Sequence, residues 1–223
     1  MKTIAHFLEP KTKPFFIGVA GVAGAGKDLF FKCLKEELSA QKTKIERRAI
    51  ADGLKEEISS FSTTAYAIDP RSCSRKEKEQ IRPLLVFHGA MRRKESKGRY
   101  WIDLFESNYR VHSDELKREG KKEPDIVCIT DIRFDDHERD EVYWLKNALR
   151  GVMVHVSQYT KEKDRKKFRS PANEEEKRND PRLKAKADYS LEWEYKHSGG
   201  ELSSMCRGKA QKFIEWLSAH ALR

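Results

Sequence analysis

The sequence predicts an α/β domain with a mostly parallel β-sheet and helices on both faces. Three observations predict it. Short apolar runs alternate with longer stretches of helical periodicity, and a glycine-rich bend joins the first such run to the first helix. The third is the run 125–130, whose unbroken apolar character is that of a strand covered on both faces. A length of 223 residues suits one domain. Charged residues make up 37%, well above the usual share of about 25%, so the excess belongs on solvated faces and in sites directed at anions.

Phe15–Ala20 is the first strand, and Lys27–Gln41 follows as a helix burying Phe30, Cys33, Leu34 and Leu38. Lys44–Ile50 reads as a second, heavily charged strand. Helices are expected from Asp52 to about Ser60, from Arg82 to Lys94 and from Tyr100 to about Val111, with Ile81, Leu84, Leu85, Phe87 and Met91 as an apolar stripe. Asp114–Pro124 is lysine-rich and reads as a solvated loop. Asp125–Thr130 is the buried strand, with Asp131 at its carboxyl end. A helix over Phe134–Leu149, stopped by Gly151, leads to the strand Val152–Val156. The stretch Tyr159–Lys186 has few apolar residues and reads as a mobile flap or a disordered segment. A strand near Tyr189–Leu191 and a helix carrying Cys206, Phe213 and Leu217 close the pattern.

The net charge of +10 has two readings, a nucleic-acid surface or a site for phosphorylated small molecules. The four cysteines show no Cys-x-x-Cys pairing, which argues against a zinc ribbon or a disulfide framework and for a reducing compartment. The longest nearly apolar stretch, Phe15–Gly26, is only 12 residues, and the start Met1–Leu8 is broken by Glu9-Pro10. A soluble, cytoplasmic protein without a membrane partner is expected. Neither His-Glu-x-x-His nor Gly-x-Ser-x-Gly occurs, so zinc hydrolase and serine esterase chemistry lack support.

Gly21-Val22-Ala23-Gly24-Ala25-Gly26-Lys27 matches Gly-x-x-x-x-Gly-Lys between a strand and a helix, as a phosphate-binding loop requires. Glycines let backbone N–H groups turn toward a phosphate chain, the helix N-terminus adds partial positive charge, and Lys27 neutralises β- and γ-phosphate oxygens. A turn that binds nothing has no need of a lysine there. ATP and Mg²⁺ are the implied ligands. Asp28 stands where Ser or Thr usually meets the metal, and its carboxylate is a candidate metal ligand that also suits a first helical turn. Asp131 is the second metal candidate; it reads alternatively as a cap for the following helix, but Arg133 two residues on favours the metal or substrate role.

Four basic groups stand ready for a second phosphorylated molecule: Lys55, Arg82 with the Arg92-Arg93-Lys94 cluster, Arg133, and the run 161–169. Six of the ten residues Thr160–Arg169 are Lys or Arg, suiting a flap that closes over phosphates, with Arg165 and Arg169 as its candidate catalytic groups. Most of these charges are solvated surface on general grounds. Trp101 offers a face for a nucleobase, although beside Leu104 and Phe105 the packing role has the better claim.

The Gly-Lys-Asp ending at Asp28 resembles the deoxynucleoside monophosphate kinases of tailed bacteriophages and the animal-type phosphomevalonate kinases. Ala51-Asp52-Gly53-Leu54-Lys55, Arg99-Tyr100-Trp101-Ile102-Asp103-Leu104-Phe105 and Thr130-Asp131-Ile132-Arg133-Phe134-Asp135-Asp136-His137-Glu138 are similar to further elements of that group, the Tyr-Trp and His-Glu pieces favouring the phage enzymes. The pattern differs at Gly53, at Ile132 and at Glu192-Trp193-Glu194. The resemblance implies a single P-loop kinase domain over 1–223, with an acceptor-binding helical region at about 52–112 and a lid at about 158–186. It implies ATP contacts at Gly21, Ala23, Gly24, Ala25, Gly26, Lys27 and Asp28. Asp131 would serve the metal or the acceptor geometry, and Arg133 the transferred or the acceptor phosphate; Asp52, Lys55, Arg82 and Trp101 are the candidates for binding a nucleotide acceptor. A phosphomevalonate-like acceptor is the rival; a nucleic-acid-binding ATPase ranks third, because the basic runs lack interleaved aromatics. A homodimer stays open.

Overall fold

The computed structural model describes residues 14–163, 165–195 and 199–220. The start Met1–Leu8 lies outside the described residues. The described residues divide into two compact units, one formed within 14–48, 123–135 and 142–220, the other by 49–122 and 136–141.

The first unit holds the sheet: β1 Phe15–Ala20, β2 Ile45–Arg48, β3 Ile126–Ile132, β4 Val152–Glu162, β5 Arg165–Phe168 and β6 Tyr189–Glu194. Five strands run parallel in the order β2-β3-β1-β4-β6, and β5 alone is antiparallel, paired with the far end of β4. Mixed α/β architecture with a mostly parallel sheet is therefore what the chain adopts. Period-two alternation sends Ile17 and Val19 to the core face, where helices α1 Lys27–Ala40 and α7 Gly199–His220 cover them. Phe30 of α1 and Phe213 of α7 meet edge to face at 5.6 Å, both fully buried. Leu145 covers the opposite face at Gly18, where a Cβ would lie 2.2 Å from its Cδ2.

The helix expected over Phe134–Leu149 is much shorter: one turn at Glu141–Tyr143, α5, continues as a π-helical turn over Trp144–Ala148. Residues 133–140 are held by side-chain bonds that compete with helix formation, since the Asp140 carboxylate accepts the N–H groups of Asp136 and His137. Arg150, not Gly151, takes the left-handed conformation after the turn, and Gly151 instead sits close against Phe16.

The described residues of 159–186 form strand and helix rather than the disordered segment that was one expectation. β4 runs on to Glu162 and returns as β5, with Tyr159 opposite Phe168. A helix, α6 Glu174–Lys186, follows, capped by Asn173, whose Oδ1 accepts the Glu176 N–H at 2.8 Å. It docks through buried Leu183 and Asn179, and through Asp180, which meets the buried His155 Nε2 at 3.0 Å. Lys166 and Lys184 both pair with Glu192. Polar composition hid this because the anchors are hydrogen bonds and ion pairs rather than an apolar stripe.

The second unit is helical: α2 Ala51–Tyr66, α3 Arg75–Glu95 and α4 Tyr100–Arg118. Ser74 and Glu77 form a capping box that starts α3 a full two turns before the expected Arg82. Pro83, inside α3, does not end it. α4 runs through Arg118, taking in residues assigned above to a loop; Phe105, Tyr109, His112, Ser113 and Leu116 keep helical spacing on its less exposed face, and Lys117 and Arg118 complement its carboxyl end.

Candidate phosphate-binding site

Residues 21–26 leave the carboxyl end of β1 and turn into α1, with Val22 and Ala25 sunk into the core as anchors. The turn is closed by Ala25 N–H donating to Val22 O at 3.1 Å. Gly26 caps α1 at φ 94°, a conformation side-chain-bearing residues avoid, and a Cβ there would lie 2.5 Å from Trp193. Trp193 is fully buried on β6, and its Nε1 donates to Ala25 O at 3.0 Å. Among the described residues no protein acceptor engages the N–H groups of Gly24, Gly26, Lys27 or Asp28. Four unengaged donors at a helix N-terminus are the elements of an anion cradle.

Lys27 begins α1 and folds back, its Nζ donating to Gly21 O at 2.5 Å and Val22 O at 3.0 Å. Burial pulls its ammonium down to about 8, Arg133 pushes the same way, and Glu176, Asp131 and Asp28 partly offset them. Those four charged groups therefore surround the lysine. Asp131, 8% exposed, is the penultimate residue of β3, and no helix follows for it to cap. Asp28 is highly exposed and sits 3.3 Å from Arg47 Nε. No group of three or more metal-ligating side chains occurs among the described residues. Two carboxylates beside a phosphate loop still fit Mg²⁺, which is ordinarily held by one or two acids together with phosphate oxygens and water.

The run 161–169 divides. Arg169 reaches the loop, its Nε donating to Ala23 O at 2.8 Å. Arg165 stands opposite Glu162 beside the hairpin turn, and among the described residues no hydrogen bond joins it to the loop. Glu176, which the sequence reading did not single out, accepts the Ala23 N–H at 3.1 Å. The only sequence signal for it is its place in the first turn of a helix after an Asn cap.

In the helical unit, Lys55 pairs with Asp52 at 2.8 Å and Arg82 with Glu79 at 2.7 Å, both on partly exposed faces. Trp101 is a core residue, 5% exposed, with its indole N–H on Gly89 O at 3.1 Å, so it offers no free face to a base. Arg93 is likewise removed from the basic cluster: it is buried and paired with Asp140. A cluster absent from the sequence reading gathers here on Glu57, which accepts from Tyr100 at 2.5 Å and Arg92 at 2.7 Å and meets His88 at 2.6 Å. Burial opposes ionisation of Glu57, but these three partners together hold it below the usual carboxylate range. The i, i+4 spacing of His88 and Arg92 was the available signal.

No family model and no curated protein matches the sequence. Among solved structures, the shikimate kinase from Acinetobacter baumannii in complex with shikimate is similar over 95% of this chain and 97% of that chain, at 16% identity and a TM-score of 0.40. The α/β assignment rests on the sheet and the loop themselves.

Because Gly26 combines a left-handed backbone with contact against Trp193, Gly26→Ala is expected to lower ATP affinity at least about tenfold and stability by about 1–3 kcal/mol. Calorimetric titration with ATP and a thermal melt read the two effects. Wild-type affinity in a folded variant would show that the loop does not need this geometry.

Proposed function

We propose that the chain is an ATP-dependent kinase that phosphorylates deoxynucleoside 5′-monophosphates to diphosphates. The observation that carries the kinase reading is the loop 21–27, with four unengaged N–H donors, a helix N-terminus and a half-buried lysine at one point. The loop cradles the phosphate chain of ATP, and Lys27 turns from the Gly21 and Val22 carbonyls to its outer oxygens. Asp131 and Asp28 would hold Mg²⁺, which supplies charge neutralisation of the phosphates when bound. Arg133 and Arg169 stabilise the charge that develops as an acceptor phosphate oxygen attacks in line, and no covalent enzyme intermediate is needed.

The nucleotide acceptor is supported by the Tyr100-Trp101 and His137-Glu138 elements, whose resemblance favours the phage nucleotide kinases. Asp52, Lys55, Arg82 and the Glu57 cluster are the polar groups that the helical unit offers an acceptor. Trp101 acts there through packing. Against a nucleic-acid role stands the pairing of many surface cations with neighbouring acids, among them Arg71, Lys166 and Lys184. No helix among the described residues is long and apolar enough to cross a membrane.

A panel of acceptors in an ADP-release assay tests the reading. Stimulation by at least one deoxynucleoside monophosphate is expected. Stimulation by a non-nucleotide phosphate alone would move the assignment to a kinase for another small phosphorylated acceptor.

A further inference from the structure

We infer that Glu176 is a built-in anion that competes with nucleotide phosphate for the loop 21–27, and so sets the affinity for ATP. The inference rests on the kinase reading and extends it to control of the same site. Both backbone polar groups of Ala23, in the two peptide groups that flank it, are held by the segment after β4. Glu176 Oε2 accepts the Ala23 N–H at 3.1 Å, and Arg169 Nε donates to Ala23 O at 2.8 Å. Arg169 also lies flat against Gly24, where a Cβ would come within 2.6–2.7 Å of its guanidinium atoms. A carboxylate on the loop's backbone N–H is the same chemistry as a phosphate oxygen there, an anionic acceptor on an amide donor.

Glu176 also contributes negative charge at Lys27, the ammonium that nucleotide must engage. A triphosphate arriving beside an unmoved Glu176 would set like charges against each other in a partly buried site. Helix α6 is fixed by Asp180 on His155 and by Asn179, whose Oδ1 accepts the Asp135 N–H at 3.3 Å. The Glu176 side chain, rather than the helix, is therefore the part that swings away. When it leaves, the Ala23 N–H is released to phosphate, the charge of Lys27 loses a competing carboxylate, and Arg169 turns from a carbonyl to an anion. The nucleotide-free loop is thus kept charge-balanced at the expense of ATP affinity.

The test compares the full chain with Glu176→Ala, Glu176→Gln and a control, Glu174→Gln, by calorimetric titration with ATP and with pyrophosphate, each without metal. Glu174 is highly exposed in the same helical turn, so its variant removes the same charge from the same helix end without touching the loop. Both Glu176 variants are expected to bind about 10- to 100-fold more tightly, the range that loss of one charge-assisted competitor allows, and Glu174→Gln within twofold of wild type. Glu176 also accepts the Ala172 N–H at 2.9 Å, and Gln keeps an acceptor there should Ala fray the helix; a thermal melt reports folding. Unchanged or weaker binding by folded Glu176→Gln, while wild type binds ATP, would overturn the inference and leave the kinase reading standing. Failure of wild type and every folded variant to bind either ligand would overturn both.

Discussion

On the proposed kinase reading, Lys27→Met should abolish ATP-dependent turnover, lowering it about 10³-fold or more, while leaving stability at pH 7 within about 1 kcal/mol of wild type. The two halves have different causes. Turnover is lost because Lys27 is the cation at the start of α1 beneath the loop, and the backbone donors with Arg133 and Arg169 do not replace its charge there. Stability survives because the lysine is costly in the nucleotide-free protein: burial brings its ammonium from 10.5 to about 8, a displacement worth about 3 kcal/mol. Its two bonds to Gly21 and Val22 carbonyls return about 1 kcal/mol each, and Met keeps the packing of the stem.

The sign gives a further check on the same variant. Between pH 8 and 10.5 the unfolded chain still holds the proton that folded Lys27 has released, so the unfolded state binds more protons and stability rises with pH. This contribution is complete above the unfolded value and is lost as pH falls through about 8. Wild type minus Lys27→Met, measured by urea unfolding across that range, should climb by up to about 3 kcal/mol. A flat difference would mean that the ammonium is not buried, and retained turnover would remove Lys27 from the phosphate site.

The sheet and its loop were legible because they follow from local pattern: apolar runs of strand length, glycines before a lysine, and a helical stripe behind them. Lys27, Asp131 and Arg169 stand out as candidates in the sequence because motif position or charge density marks them. Three features do not. Glu176 reaches the loop through a fold-back that brings α6 to a segment about 150 residues earlier, and its place in a first helical turn after an Asn cap does not point to that partner. Trp193 entered the sequence reading only as a departure from a family pattern, yet its indole closes the loop by bonding to Ala25 O. The secondary structure within 159–186 was not legible because apolar periodicity sees only packing, and its described residues are joined by strand pairing, an Asn cap and the Asp180–His155 contact. Where order comes from polar partners distant in sequence, composition looks like disorder.

Asp140 is the extreme case of that blindness, and Asp140→Ala should cost about 3–5 kcal/mol of stability. It lies in a run of charged residues that reads as a solvated helix face, yet it is fully buried and bonded five times. Arg93 donates to it from both terminal nitrogens, at 3.0 and 2.7 Å, and the N–H groups of Asp136, His137 and Glu141 complete its shell. Burial works against the charge of Arg93, but its acidic partners, Asp140 foremost, hold the guanidinium above its ordinary value. Removing Asp140 takes from that charge, in a dry site, the carboxylate that engages both its terminal nitrogens, leaves Glu141 3.8 Å away, and strands three backbone donors. Asp140→Asn, which keeps an acceptor for the N–H groups, should cost less than Ala. Combining Asp140→Asn with Arg93→Met should cost less than the sum of the two single changes, by about 1–3 kcal/mol, because the second removes the charge that the first leaves unpaired. Additive losses in that cycle, read by urea unfolding, would show that the pair is not coupled and that the loop 136–141 is held by its backbone bonds alone.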